Sequence, residues 1–121
     1  MSQELKQPNK IRVTYDELEW IHYSYGGYDF YHYKGKPFSG YAILDYHPNG
    51  NIMFEEEYKE GEHLGWDNEY YESGIIKYRR LIIGETTLET YEYDENGNEL
   101  DHGLQVSKTY LEEMKKKFKL D

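Results

Sequence analysis

The 121-residue chain fits a single domain and leaves room for one modest core, not for two. Only 37% of residues are apolar and the mean hydropathy is −1.03, yet 17% are aromatic, 15 of them tyrosine; that separates the chain from disordered acidic sequences and points to a folded β protein with tyrosine-bearing faces. A formal net charge of −10 works against binding nucleic acid or an anionic membrane, and the absence of cysteine removes disulfides, thiolate catalysis and cysteine-based zinc sites.

The opening residues MSQELKQPNK carry no apolar core of a secretory signal, and no stretch of the chain approaches a membrane span, so a soluble, cytoplasmic protein is expected. Residues 1–19 read as an N-terminal segment, in which Thr14 and Glu17 stand at capping-box spacing around one short turn. WIHYSYGGYDFYHY (Trp20 to Tyr33) has a strand–turn–strand shape around Gly26-Gly27. It reads as a degenerate first hairpin, with His22 opposite Tyr31 and Ile21 opposite His32.

Residues 33–100 contain an internal repeat in three units. They are YKGKPFSGYAILDYHPNGNIMFEEEY (Tyr33 to Tyr58), YKEGEHLGWDNEYYESGIIKYRRL (Tyr58 to Leu81) and LIIGETTLETYEYDENGNEL (Leu81 to Leu100). The glycines Gly35, Gly61 and Gly84 are 26 and 23 residues apart, and Gly50, Gly74 and Gly97 are 24 and 23 apart. Asn49-Gly50, Ser73-Gly74 and Asn96-Gly97 are turn pairs in which glycine accepts a positive φ, so each unit predicts a β-hairpin. A two-residue turn at Ser73-Gly74 places Asp67 opposite Arg80, Trp66 opposite Leu81, Glu69 opposite Tyr78 and Tyr71 opposite Ile76. Gly40 and Gly65 mark a further repeated turn that the third unit replaces with Thr87-Leu88.

A helical pattern closes the chain. Between Leu104 and Leu120, Ser107, Leu111, Met114 and Phe118 recur at spacings of 4, 3 and 4 with lysines on the opposite side, predicting an amphipathic helix that starts near Gly103 or Ser107 and caps the last hairpin. The expected fold is therefore a single, mainly β domain over residues 1–121: consecutive antiparallel hairpins in one twisted sheet, with the segment 104–120 packed on it as a helix.

Four strings, KGKPFSGYA (Lys34 to Ala42), YHPNGNI (Tyr46 to Ile52), YKEGEHLGW (Tyr58 to Trp66) and YYESGII (Tyr70 to Ile76), resemble the variant MORN repeat, where GxPFTG, yyxNGxl and ykdGxxhGxw recur in that order. YDENGNEL (Tyr93 to Leu100) is similar to the WDExGxL of bacterial members. The resemblance covers residues 33–100 and departs in the third unit, which lacks the second glycine, and in the tyrosine-rich first hairpin. It implies an extended, curved antiparallel sheet of hairpins. Bacterial members are commonly described as YwqK-like antitoxins, many standing beside polymorphic toxins as immunity proteins, which implies the same role here. The alternative reading is a MORN-type scaffold that binds an ordinary cellular protein.

No catalytic constellation is evident. HExxH, Walker, GxSxG and dinucleotide-binding fingerprints are absent from the sequence, and His22, His32, His47, His63 and His102 form no recognisable metal-ligand pattern. His63, next to a hairpin turn, is expected to stabilise that turn. Glu55-Glu56-Glu57 alternate between the faces of a strand and cannot converge on one substrate, so a solvated edge or an acidic rim for a cationic partner is expected. No catalytic, cofactor, metal or small-molecule site is assigned.

Charge is distributed unevenly. Residues 1–12 and 104–121 each carry +2, whereas 13–103 carry −14, with seven acids and no Lys or Arg between Glu85 and Gly103. Acids steer a basic partner and tyrosines anchor it, so the candidate protein-binding residues are Tyr70, Glu72, Glu89, Tyr91, Glu92, Tyr93, Asp94 and Glu95. The expected partner is a basic protein toxin, such as a nuclease or nucleobase-modifying domain, whose active site or substrate groove the acidic surface would occlude.

Overall fold

The computed structural model describes residues 10–22 and 29–120. Strands β1 (Arg12–Thr14), β5 (Gly40–Tyr46), β6 (Ile52–Lys59), β7 (Glu62–Tyr70), β8 (Ile76–Ile83), β9 (Thr86–Tyr93) and β10 (Glu99–Leu104) form a seven-stranded sheet in that spatial order. The strands from β5 to β10 are a pure antiparallel meander, and each repeat unit contributes one hairpin to it: β5–β6, β7–β8 and β9–β10. Helix α1 (Lys108–Phe118) follows β10. No helix among the described residues is long and apolar enough to cross a membrane.

The three glycine turns share one geometry. In each, the glycine N–H donates to a carbonyl three residues back (Gly50 to His47, Gly74 to Tyr71, Gly97 to Asp94), and the glycine φ lies between 90° and 94°. This is a three-residue loop, a turn followed by a left-handed glycine, rather than a two-residue turn. The expected pairs Asp67–Arg80, Trp66–Leu81 and Glu69–Tyr78 nevertheless form. Tyr70, not Tyr71, pairs with Ile76, and the register shift there takes up the extra loop residue.

The first hairpin departs from the single-sheet expectation. β2 (Glu19–His22), β3 (Asp29–Tyr33) and β4 (Lys36–Pro37) make a separate three-stranded sheet. Its register pairs Glu19 with His32 and Trp20 with Tyr31, two positions away from the expected pairing; the Gly26-Gly27 turn lies outside the described residues. This small sheet closes over one face of the large one. Val13, Phe38, Ala42 and Tyr58 form a core there with Tyr15, Leu18, Tyr31 and Tyr33 around them, which is where much of the tyrosine content is spent. Residues 1–9 of the N-terminal segment lie outside the described residues, and the rest of it is part of the fold: β1 adds to β5 in parallel, and the Thr14 N–H donates to Glu17 Oε1 at 2.8 Å around a 3-10 turn at Tyr15–Glu17.

α1 begins at Lys108 because β10 extends to Leu104, and Ser107 Oγ accepts the Tyr110 N–H at 3.1 Å as the N-cap. Leu111 is buried against Trp66, Leu81 and Leu88, with Met114 beside them, so the helix lies on the face opposite the small sheet and spans three strands. It leaves β10, the strand it was expected to cap, exposed at five of its six residues. Lys59 Nζ donates to the carbonyls of Phe118 and Lys119 at 3.1 and 2.9 Å, holding the helix C-terminus where the backbone dipole favours a cation.

Gly40 and Gly65 lie inside strands rather than in turns. At Gly65, with φ of +127°, a Cβ would sit 2.3 Å from Glu57 Oε1, because the buried Glu57 carboxylate fills that space and accepts the Trp66 N–H at 2.8 Å. Gly65→Ala combines a forbidden backbone conformation with displacement of a buried hydrogen-bonded carboxylate. It is expected to cost about 2–4 kcal/mol in urea denaturation; a loss below about 0.5 kcal/mol would show that the Glu57 site is not a constraint.

Candidate functional site

The polar residues of the large sheet fall into three groups: buried carboxylates, a cluster of one histidine and two carboxylates, and an exposed acidic end. Glu55 and Glu57, expected to be solvated, are 0% and 3% exposed. Arg12 grips Glu55 through Nε and an Nη at 2.8 and 3.2 Å, Asn68 Nδ2 donates to it at 3.0 Å, and the Tyr70 hydroxyl donates as well. Lys10 pairs with Glu57. Burial and the Glu55 charge raise the Tyr70 pKa. Burial alone would lower that of Arg12, but its bonds to Glu55 raise it. A carboxylate pair two residues apart on β6 thus meets a cation pair two residues apart at and just before the start of β1. That matching period-2 spacing of Lys10 and Arg12 with Glu55 and Glu57 was the signal available in the sequence.

Of the eight sequence candidates, Tyr70 and Glu89 belong to the interior. Glu89, 3% exposed, holds His102 Nε2 at 2.8 Å and the Tyr91 hydroxyl at 3.3 Å, with Lys115 Nζ 3.3 Å from its other oxygen. Tyr91 and Tyr93 stack on one face of β9 (centroids 6.2 Å apart, planes at 10°), and His102 stacks on Tyr91 at 4.2 Å. Burial, with Glu89 alongside, pushes the Tyr91 hydroxyl up to about 12. Glu92 alternates to the opposite face, where its partners across the sheet are Tyr78 and Asp101. The candidate acids and tyrosines therefore do not share one face.

Asp94 builds its turn. Its carboxylate accepts the N–H groups of Asn96 and Asn98, both at 2.9 Å, and the Asn98 side chain at 3.2 Å; the backbone bond from Asn98, with the others outweighing partial desolvation, lowers its pKa. Glu72 contributes its backbone: its carbonyl accepts the side-chain amides of Asn49 and Asn51 at 2.9 and 2.6 Å. His47 Nε2 donates to the Tyr70 carbonyl at 2.8 Å and the Tyr71 hydroxyl to that of Tyr93 at 2.8 Å, so the three hairpin tips are cross-linked in a row. Glu95 is exposed. A hollow of about 310 Å³ lies beside the first two tips, lined by Arg12, Gly50, Asn51, Ile52, Tyr70 and Gly74. Its two chemically capable side chains, Arg12 and Tyr70, are both committed to Glu55.

A cluster of one histidine and two carboxylates that sequence reasoning did not find lies on the other face. Glu56, His63 and Asp67 bring three ligand atoms within 4.8 Å of one another, a set that could hold a divalent cation. Asp67 is already engaged: His63 Nε2 is 2.7 Å from Oδ1, and Arg80 Nε and Nη2 are each 3.3 Å from Oδ2. His63 also stacks on Tyr58, whose hydroxyl donates to Glu56 at 2.9 Å, so His63 serves the sheet interior rather than the adjacent turn. The convergence arises because β6 and β7 pair through an irregularity between Glu55–Asn68 and Tyr58–His63, which no strict alternation pattern reveals. No family model, curated protein or solved structure matches the chain.

Burial pulls the His63 pKa down, but the hydrogen bond and charge of Asp67, with Glu56, outweigh it and leave the net value raised. The pair's contribution to stability is therefore fully present below the unfolded-state value of about 6.5 and is lost as pH rises through the raised folded value. In urea denaturation, His63→Gln should lower stability more at acidic than at alkaline pH. A deficit that is independent of pH would contradict the assignment.

Proposed function

We propose that the chain is a non-catalytic immunity protein that acts in the cytoplasm by binding a basic protein toxin and occluding its active site or substrate groove. The observation that carries this reading is the contrast between buried and exposed acids. Each of Glu55, Glu57, Asp67 and Glu89 has a cation from the chain itself. Glu85, Glu92, Glu95, Glu99 and Asp101 are exposed, and none of the five forms an ion pair among the described residues. They cluster on the β9–β10 hairpin and the turn before it, with Glu92 and Asp101 on the face opposite the stacked Tyr91, Tyr93 and His102. A one-signed, uncompensated group of acids suits fast capture of a basic surface, with the aromatic rings on the reverse face of the same hairpin as a second contact. The repeat resemblance supplies the toxin as the kind of basic protein; a MORN-type scaffold would use the same surface for a different partner.

The test is calorimetry with the protein encoded beside this one, together with rescue of growth when that protein is produced. The triple variant Glu92→Lys, Glu95→Lys, Asp101→Lys should weaken binding at least roughly tenfold and abolish rescue with its fold intact by circular dichroism. Full affinity in the triple variant would overturn the surface assignment, and binding without any rescue would favour the scaffold.

A further inference from the structure

Asp101 of β10 is paired directly across the strands with Glu92 of β9. It is the one like-charge cross-strand pair among the described residues, and neither member has an ion-pair partner there. Like charges placed opposite one another destabilise a sheet, so this pair is a local cost that the isolated protein leaves standing. β10 is also the end of the sheet: among the described residues only β9 pairs with it. Leu100 is 63% exposed and Leu104 44%, and neither is covered by α1.

We infer that β10 is a docking edge for an extended segment of the partner that carries lysine or arginine at alternate positions and apolar residues between them. Such a strand completes the open ladder of backbone groups. Its cations lie along the Glu92–Asp101 face, and its apolar side chains lie along the face that carries Leu104 and His102. A second copy of this chain is the poorer occupant, because it brings a further net charge of −10 to the same edge. The Leu100 side of the strand is irregular, with a register shift between Glu99 and Asp101, so the regular edge runs from Asp101 to Leu104.

This inference rests on the binding function proposed above and is tested separately from it. The probe is an acetylated, amidated octapeptide of alternating lysine and valine, titrated to about 1 mM against the full chain by amide NMR. Expected are shifts centred on residues 99–105 that weaken with salt, are lost when alternate peptide amides are N-methylated, and are lost in Asp101→Lys, which itself gains stability through Glu92. Absence of shifts on β10, equal binding of the N-methylated peptide, or β10 shifts that grow with protein concentration and no peptide would each overturn it. A basic partner that binds while the β10 amides remain unprotected from hydrogen exchange refutes strand addition alone. Peptide docking on β10 without binding or rescue by the encoded neighbour refutes only the immunity function.

Discussion

Carboxylates buried inside a sheet set the terms for everything else in this molecule. Glu55, Glu57 and Glu89 lie on the face that α1 partly covers, and leaving any of them without a cation there would cost several kcal/mol. Their partners come from the two ends of the chain: Lys10 and Arg12 from the N-terminal segment, Lys115 from the helix, and His102 from the last strand. The ion pairs therefore select where the ends dock. β1 must add beside β5 for Arg12 to reach across to Glu55, and the helix must cross β9 for Lys115 to reach Glu89. Apolar contacts with Trp66, Leu81 and Leu88 then supply the non-directional part of the attachment.

The same pairing changes how the charge map is read. Lys10, Arg12 and Lys115 are consumed by the sheet interior, whereas Lys108, Lys116, Lys117 and Lys119 remain exposed on and just after α1. Acids that no internal cation reaches are densest at the end of the meander, although Asp45, Glu60, Glu62 and Glu72 are also exposed without an ion pair among the described residues. Two of the carboxylates most tempting as contacts from sequence, Glu89 and Asp94, instead hold the strands and the turn in place. The proposed recognition surface is narrower than the acidic run from Glu85 to Gly103, and it is split between faces by the alternation of Tyr91, Glu92 and Tyr93.

Much of the fold was legible because its signals are local. A positive φ is a demand that a turn makes on one residue, so the spacing of Gly50, Gly74 and Gly97 marked three hairpins correctly. The β7–β8 register survived a misread turn because the register shift beyond Tyr70 cancels the extra loop residue. The small sheet was not legible: its separation depends on Phe38 and Tyr58 packing with Tyr31 and Tyr33, and hydropathy along the chain does not say which sheet a tyrosine faces. Glu55 and Glu57 were misread for the same reason. Their burial is decided by cations more than 40 residues away, and an acidic run looks identical in sequence whether solvated or paired.

The docking of the N-terminal segment depends on the Arg12–Glu55 pair, and a double-mutant cycle in urea measures it. Arg12→Met and Glu55→Met should each cost roughly 3 kcal/mol by stranding the other member, and the double variant should cost less than their sum by more than about 1 kcal/mol. Losses that add to within about 0.5 kcal/mol would show that the two side chains do not depend on one another, and that the N-terminal segment is held to the sheet by something other than its buried acids.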